Sequence, residues 1–159
     1  MSYVYYNPNP LGLSVGDCTI RAISCALNIS WKKTYLELVT QGFVMYDMPS
    51  ANRVWGQYLK SKGFKKYQLP DTCPDCYTIR DFCYDFPVGV FVVGTGEHVV
   101  CIKNGNYFDS WDSGARGGRG YSMTNSKMDM VGELSQMMNE TQDETVKKAI
   151  SEAITKMNK

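Results

Sequence analysis

Apolar residues along this chain follow two periods, helical in the first half and strand-like in the second. Ile20, Ile23, Ala26 and Leu27 recur at helical spacing and predict a helix from Cys18 to about Asn28. Ser30 is placed to cap a second helix over Trp31–Thr40, with Tyr35, Leu36 and Val39 inward and Gly42 as its stop. Pro49-Ser50 opens a third over Ala51–Lys62, which carries Val54, Trp55, Tyr58 and Leu59 on one face. Phe64–Leu69 reads as a short strand. Thr78 and Asp81 have capping-box spacing and start a short helix that must end before Pro87. From Val88 the period becomes that of a sheet, with strands at 88–93, 98–103 and 106–111. Asn104-Gly105 is the hairpin turn between the last two. Tyr3–Tyr6 is a short extended piece before a loop rich in Asn, Pro and Gly. Ser113–Tyr121, with four glycines, is expected to be a flexible loop. Lys127–Met138 reads as a Met-rich helix, and Thr141 with Glu144 caps another over Glu144–Met157.

Helices followed by strands predict an α+β fold, with N-terminal helices packed on an antiparallel sheet. The expected organisation is a domain over 1–122 and a C-terminal helical extension over 123–159, packed on it or protruding. Seventeen basic residues against sixteen acidic leave a formal charge of +1, so net charge gives no reason to expect a nucleic-acid or membrane partner. No apolar run approaches the roughly 18–20 residues of a spanning helix, and the first residues lack the pattern of a signal peptide. Six cysteines without such a leader point to a reducing compartment, hence the cytoplasm. The glycines at 114–120 do not form a phosphate-binding loop, and no cofactor is expected.

The candidate chemistry centres on Gly16-Asp17-Cys18-Thr19-Ile20-Arg21-Ala22. Asp17 is a residue that caps helix starts, and a cysteine in the first turn faces unpaired backbone N–H groups and the positive end of the helix dipole. Both favour the thiolate, which is the nucleophile. The chain has a single histidine, His98, so any cysteine–histidine chemistry must use it. With Asn104 and Gly105 as the turn, His98 faces Trp111 and Val100 faces Asp109 across the hairpin. Alternation then puts His98, Val100, Tyr107, Asp109 and Trp111 on one face and Asp112 on the other. Asp109 becomes the diagonal neighbour able to orient the imidazole, and Trp111 can shield that contact from water.

A rival constellation is Cys73-Pro74-Asp75-Cys76, a knuckle suited to zinc, with Cys83 or Cys101 as further ligands. No second such knuckle follows, and a reduced structural loop is the simpler reading. Its position before a helix is also that of a thiol redox motif, although Tyr77 and Thr78 intervene.

Asp109-Ser110-Trp111 resembles the Asn-Ser-Trp that follows the histidine of papain-like cysteine proteases, with Asp in place of Asn. The order of cysteine, helices, histidine on a strand and acid across a hairpin is similar to that of the same superfamily. Gly-Asp-Cys-Thr-Ile-Arg-Ala resembles the nucleophile motif of small papain-like proteins of phages and prophages of Gram-positive bacteria. It is less similar to the Asp-Gly-Asn-Cys of ovarian-tumour deubiquitinases. Tyr6-Asn7-Pro8-Asn9-Pro10, the segment Asp47–Asn52 and the 73–76 knuckle resemble the phage group too, so the likeness covers about residues 1–113.

It implies a papain-like fold and hydrolysis of a peptide or isopeptide bond in a protein or peptide substrate by Cys18, His98 and Asp109. If the chain is phage-encoded, the compartment is the bacterial host cytosol. Papain's Gly-Ser-Cys-Trp is absent, and Gly12 stands where its oxyanion glutamine would be. Asn7 or Asn9 is the substitute amide, beside the Cys18 N–H. Two other expectations follow from the residues. One is a papain-fold binding protein without activity, such as a phage inhibitor of a host defence protein. The other is a small zinc-stabilised interaction protein. The Met-rich helices of the tail suit a protein partner or self-association.

Overall fold

The computed structural model describes residues 1–69, 77–117, 121–124 (backbone only), 147, 148, 151 and 152. In chain order the elements are β1 (Tyr3–Tyr5), α1 (Cys18–Leu27), α2 (Trp31–Met45), α3 (Asn52–Ser61), β2 (Lys65–Gln68), α4 (Ile79–Asp85), β3 (Val90–Gly94), β4 (Val99–Lys103), β5 (Asn106–Asp109) and β6 (Tyr121–Thr124). The fold is α+β. Among the described residues no helix is long and apolar enough to cross a membrane.

The strands form one sheet in the order β1-β5-β4-β3-β6-β2. Helices cover both of its faces, which explains why β3 and β4 read as unbroken apolar runs. Val92 and its cross-strand partner Cys101 point into a core shared with α1, α2 and α3, around Ile23, Leu38, Trp55 and Leu59. The pairs Phe91–Ile102 and Val93–Val100 point the other way, to Ile79, Phe82 and Phe86 of α4 and the residue after it. Side-chain alternation thus splits two neighbouring valines between two cores.

Several expectations need correction. The sheet is mixed, because β1 runs parallel to β5, with Tyr5 opposite Asp109. Helix α2 does not stop at Gly42 but runs to Met45, ending where Tyr46 adopts φ 53°. Gly42 instead permits a close approach: a Cβ there would lie 2.6 Å from the carbonyl oxygen of Asp47. The inward face of α2 is Thr34, Leu38 and Gly42, whereas Tyr35, Leu36 and Val39 are exposed. The buried stripe pairs a hydroxyl with a hydroxyl, Ser24 to Thr34 at 2.8 Å, which hydrophobic spacing does not register.

At the end of the expected glycine-rich loop, β6 inserts between β3 and β2 and straddles the expected division at residue 122. The helical tail lies outside the described residues except at 147, 148, 151 and 152, which are helical. Other boundaries agree closely. Asn28 ends α1 in the left-handed conformation, Ser30 accepts from the Lys33 N–H, and Thr78 and Asp81 form a complete capping box.

Candidate active site

Two local structures bring the site together. The first is the start of α1, where Cys18 is the first helical residue and lies half-buried. The second is the β4–β5 hairpin, whose turn residues Asn104 and Gly105 have φ 48° and 70°, the positive values a two-residue turn of this hand requires. The register pairs Lys103 with Asn106 and Cys101 with Phe108, and one more step puts Val100 opposite Asp109. His98 precedes β4 in a tight turn closed by the Thr95 N–H on the His98 carbonyl at 2.8 Å. Its Nε2 lies 2.5 Å from Asp109 Oδ2, and its ring centroid lies 5.2 Å from that of Trp111. With Nε2 committed to Asp109, Nδ1 is the nitrogen left for the thiol. The structure thus brings Cys18, His98, Asp109 and Trp111 together.

Helix α1 packs on β4 through Ile23, Cys25, Val99 and Cys101, and this packing sets the spacing of Cys18 and His98. Asp109 is 2 % exposed and is backed by the N-terminal strand: the Tyr6 N–H donates to its backbone carbonyl at 2.8 Å. The parallel pairing of β1 therefore braces the strand that carries the acid.

Electrostatics couple the three groups. Burial alone would push the Cys18 thiol up. The hydrogen bond with His98, the Val99 amide, the positive field of His98 and the Thr19 hydroxyl outweigh it and hold the thiol below its ordinary value. Burial likewise opposes charge on His98, but hydrogen bonds and charge from Asp109 and Cys18 raise it from 6.5 to about 9. Asp109 too is opposed by burial, yet stays below the usual carboxylate range through the His98 hydrogen bond. The buried Ser113 hydroxyl lies near enough to assist without a hydrogen bond of ordinary geometry. The Ser110 N–H donates to Oδ1 at 2.8 Å. A lowered thiol beside a raised imidazole favours a thiolate–imidazolium pair.

Sequence reasoning missed a further part of the site. Asp17 occupies the N-cap position of α1, but its side chain makes no capping bond. It accepts instead from Arg21 and from Trp31 Nε1, the latter at 2.7 Å. Arg21 also reaches Asp109 Oδ1 at 3.3 Å, and both side chains are almost fully buried. One guanidinium thus ties Asp17, beside Cys18, to Asp109, beside His98, with its Nε buried and unpartnered among the described residues. The signal was available: Asp17 and Arg21 stand four apart, and Arg21 is the one charged residue of α1.

The cleft has a volume of about 270 Å³ and is lined by Ser14, Val15, Gly16, Cys18 and Arg21 from the loop and α1, and by Glu97, His98, Ser110 and Trp111 from the hairpin region. Asn7 and Asn9 do not line it. The Asn7 amide donates to the carbonyls of Gly12 and Leu13, and the Asn9 side-chain oxygen accepts from the N–H groups of Leu11 and Leu13. Both side chains build the loop and neither faces an oxyanion. Asp112 is exposed and engages Arg80 and the Tyr107 hydroxyl, away from His98. Cys73 and Cys76 lie outside the described residues. The further zinc ligands considered, Cys83 and Cys101, belong to cores on opposite faces of the sheet, so one ion cannot take both.

The arrangement can hold a thiolate, deliver a proton from the imidazolium and keep that imidazolium oriented. The chain matches no protein-family model, and neither a curated protein nor a solved structure shows significant similarity to it.

Proposed function

We propose that the protein is a papain-like cysteine hydrolase, phage-encoded and acting in the bacterial host cytosol, that cleaves a peptide or isopeptide bond. The observation that carries this reading is that Cys18 and His98 line one open cleft, with Asp109 buried behind the imidazole and 2.5 Å from its Nε2. The Cys18 thiolate attacks the carbonyl carbon, forming the C–S bond and placing negative charge on the carbonyl oxygen. The Cys18 backbone N–H, free of the helix ladder in the first turn, stabilises that oxyanion. As the C–N bond breaks, the His98 imidazolium gives its proton to the leaving amine. A thioester remains. Water then attacks it, His98 takes the water's proton, and the C–S bond breaks to release the carboxylic acid and restore the pair. Asp109 holds the imidazole throughout.

Alkylation by iodoacetamide at low concentration from pH 5 to 9, followed at each cysteine by mass spectrometry, tests the reading. Cys18 is expected to react well below pH 8 and ahead of every other cysteine, and His98→Ala to slow it. Equal reactivity of Cys18, Cys25 and Cys101 in the native protein overturns the enzyme reading. A second reading, a papain-like binding protein without turnover, is favoured by the outer face of α2. There Leu36, Phe43, Val44 and Tyr46 are 65–94 % exposed beside a groove of about 370 Å³. On that reading, Cys18→Ala retains function.

A further inference from the structure

Helix α2 turns its apolar row away from its own core. Thr34, Leu38 and Gly42 point inward, while Leu36, Val39, Phe43 and Val44 recur at helical spacing on the outside, 65, 37, 82 and 66 % exposed. Tyr46 and Met48, just past the end of the helix, are 94 and 67 % exposed. By side-chain size these six expose roughly 600 Å² of apolar surface. A standard protein interface takes about 800 Å² from each partner, a little over half of it apolar. The row therefore holds the apolar area that one side of a stable interface requires.

Shape and charge say what kind of partner fits. Leu36, Thr40 and Val44 stand four apart and form a ridge, with Phe43 on one side. On the other side lies the groove of about 370 Å³, closed by Tyr58 and Lys62. Glu37 is the only carboxylate of α2 and is already engaged, by the Tyr58 hydroxyl at 2.5 Å and by Lys62 at 3.0 Å. The cations of α2 oppose its own dipole: Lys32 and Lys33 open the helix, and its last turn has no basic residue. A second α2 running antiparallel corrects this. With a two-fold axis between Val39 and Thr40, Leu36 of one copy meets Phe43 of the other. Lys32 and Lys33 then reach the negative end of the other helix and its Asp47, which Arg53 also holds. A parallel pairing would instead crowd four lysines at one end.

We propose that the outer face of α2 is the interface of a two-fold dimer, with the two helices antiparallel and Phe43 of each copy packed on Leu36 at the mouth of the other's groove. The same patch serves both copies, so the assembly closes at two chains. The proposal does not depend on the hydrolase reading, and Cys18→Ala protein should pair equally well. It also gives the exposed face an occupant other than the target of a binding protein.

Sedimentation equilibrium of the full chain across the micromolar range is expected to give the mass of two chains. Covering an exposed leucine is worth roughly tenfold in affinity, and symmetry makes each contact occur twice, so Leu36→Ser should weaken pairing about hundredfold. Leu36→Ser combined with Phe43→Ser should leave a monomer, whereas Val88→Ser, at an equally exposed position outside α2, should leave the dimer intact. Both α2 side chains face solvent, and a thermal melt checks that the double variant is folded. A photo-reactive p-benzoylphenylalanine in place of Phe43, in a mixture of plain and isotope-labelled chains, is expected to bond to Leu36–Thr40 of the other copy. A monomer mass throughout overturns the proposal, and so does a dimer that survives the double variant. A photo-bond formed within one chain, to residues 125–159, overturns it as well and makes the C-terminal segment the occupant.

Discussion

Helix α1 carries two cysteines about two turns apart, and the fold gives them different neighbours. Cys18, at the first turn, opens onto the cleft and meets His98. Cys25 is 4 % exposed and faces Cys101, itself 0 % exposed, across the packed face of β4. Hydrogen bonding from Cys101 and the charge of Lys103 also hold the Cys25 thiol below its ordinary value, while burial drives the Cys101 thiol up. Acidity alone therefore does not separate the two cysteines of α1. What separates them is access for an electrophile and a base whose proton can be delivered to a leaving group. The helix supplies an environment for a thiolate at both positions, but the hairpin decides which of the two sulfurs meets an imidazole in a cleft.

The largest expected effects come from breaking the Cys18 side of this contrast. On the hydrolase reading proposed above, Cys18→Ala should abolish hydrolysis. His98→Ala should lower it by about 10²–10⁴-fold, the usual range for a positioned acid–base group. The same variant should move the ionisation of Cys18 upward, since burial then acts with only the Val99 amide and Thr19 to oppose it. The measurement is hydrolysis of a peptide substrate together with the pH midpoint of alkylation. A midpoint that stays put in His98→Ala would mean that the imidazole does not hold the thiolate.

Next in size is the buried ion cluster behind the pair. Arg21→Gln leaves the buried Asp17 carboxylate without a cation and Asp109 with His98 alone. Unpairing a buried charge of this kind typically destabilises by about 3–5 kcal/mol, and urea unfolding reads it directly. Arg21→Lys keeps the charge but cannot span two carboxylates with a planar fork, so it should recover part of the stability. An Arg21→Gln protein as stable as the parent would show that the bridge contributes nothing.

The pair also sets a pH window. Hydrolysis should rise as Cys18 ionises below the ordinary thiol range, and fall as His98 loses its proton near pH 9. The stability that His98 contributes has the same upper edge. Its folded pKa lies above the unfolded 6.5, so the contribution is full below about 6.5 and is lost as the pH rises through about 9. Asp109, with a lowered pKa, contributes above the ordinary carboxylate range and is lost as acid protonates it. A melting temperature that climbs between pH 7 and 10 in the parent, but not in His98→Ala, would contradict this sign.

Much of this geometry was legible in the residues. Asn104-Gly105 fixes a two-residue turn, and from that turn simple parity carries His98 to the same face as Asp109 and Trp111. Capping residues marked the starts of α2 and α4 because their bonds are local. What escaped depends on contacts between distant parts of the chain. The inward face of α2 is chosen by Ser24 and by the backbone beyond Asp47, neither of which a spacing of apolar residues reports. The position of Asp17 suits a cap, but a guanidinium and an indole compete for its oxygens and win. Asn7 and Asn9 offered the right amide near the right cysteine, yet the loop they stand in needed those groups to satisfy its own backbone.

The smallest expected effect sharpens the comparison from the other side. Cys25→Ala removes a buried sulfur from the contact between α1 and β4, so stability should fall by about 1 kcal/mol as a small cavity forms. Cys18 and His98 stay in place because Ile23, Val99 and the remaining core still fix the helix against the strand. Hydrolysis should therefore remain within about twofold of the parent, since no acid, base or nucleophile is lost. The pair of measurements, melting temperature and turnover, separates the two roles that cysteine plays on one helix. If Cys25→Ala lost activity in proportion to Cys18→Ala while remaining folded, the division into a reactive first turn and a packing second half of α1 would be wrong.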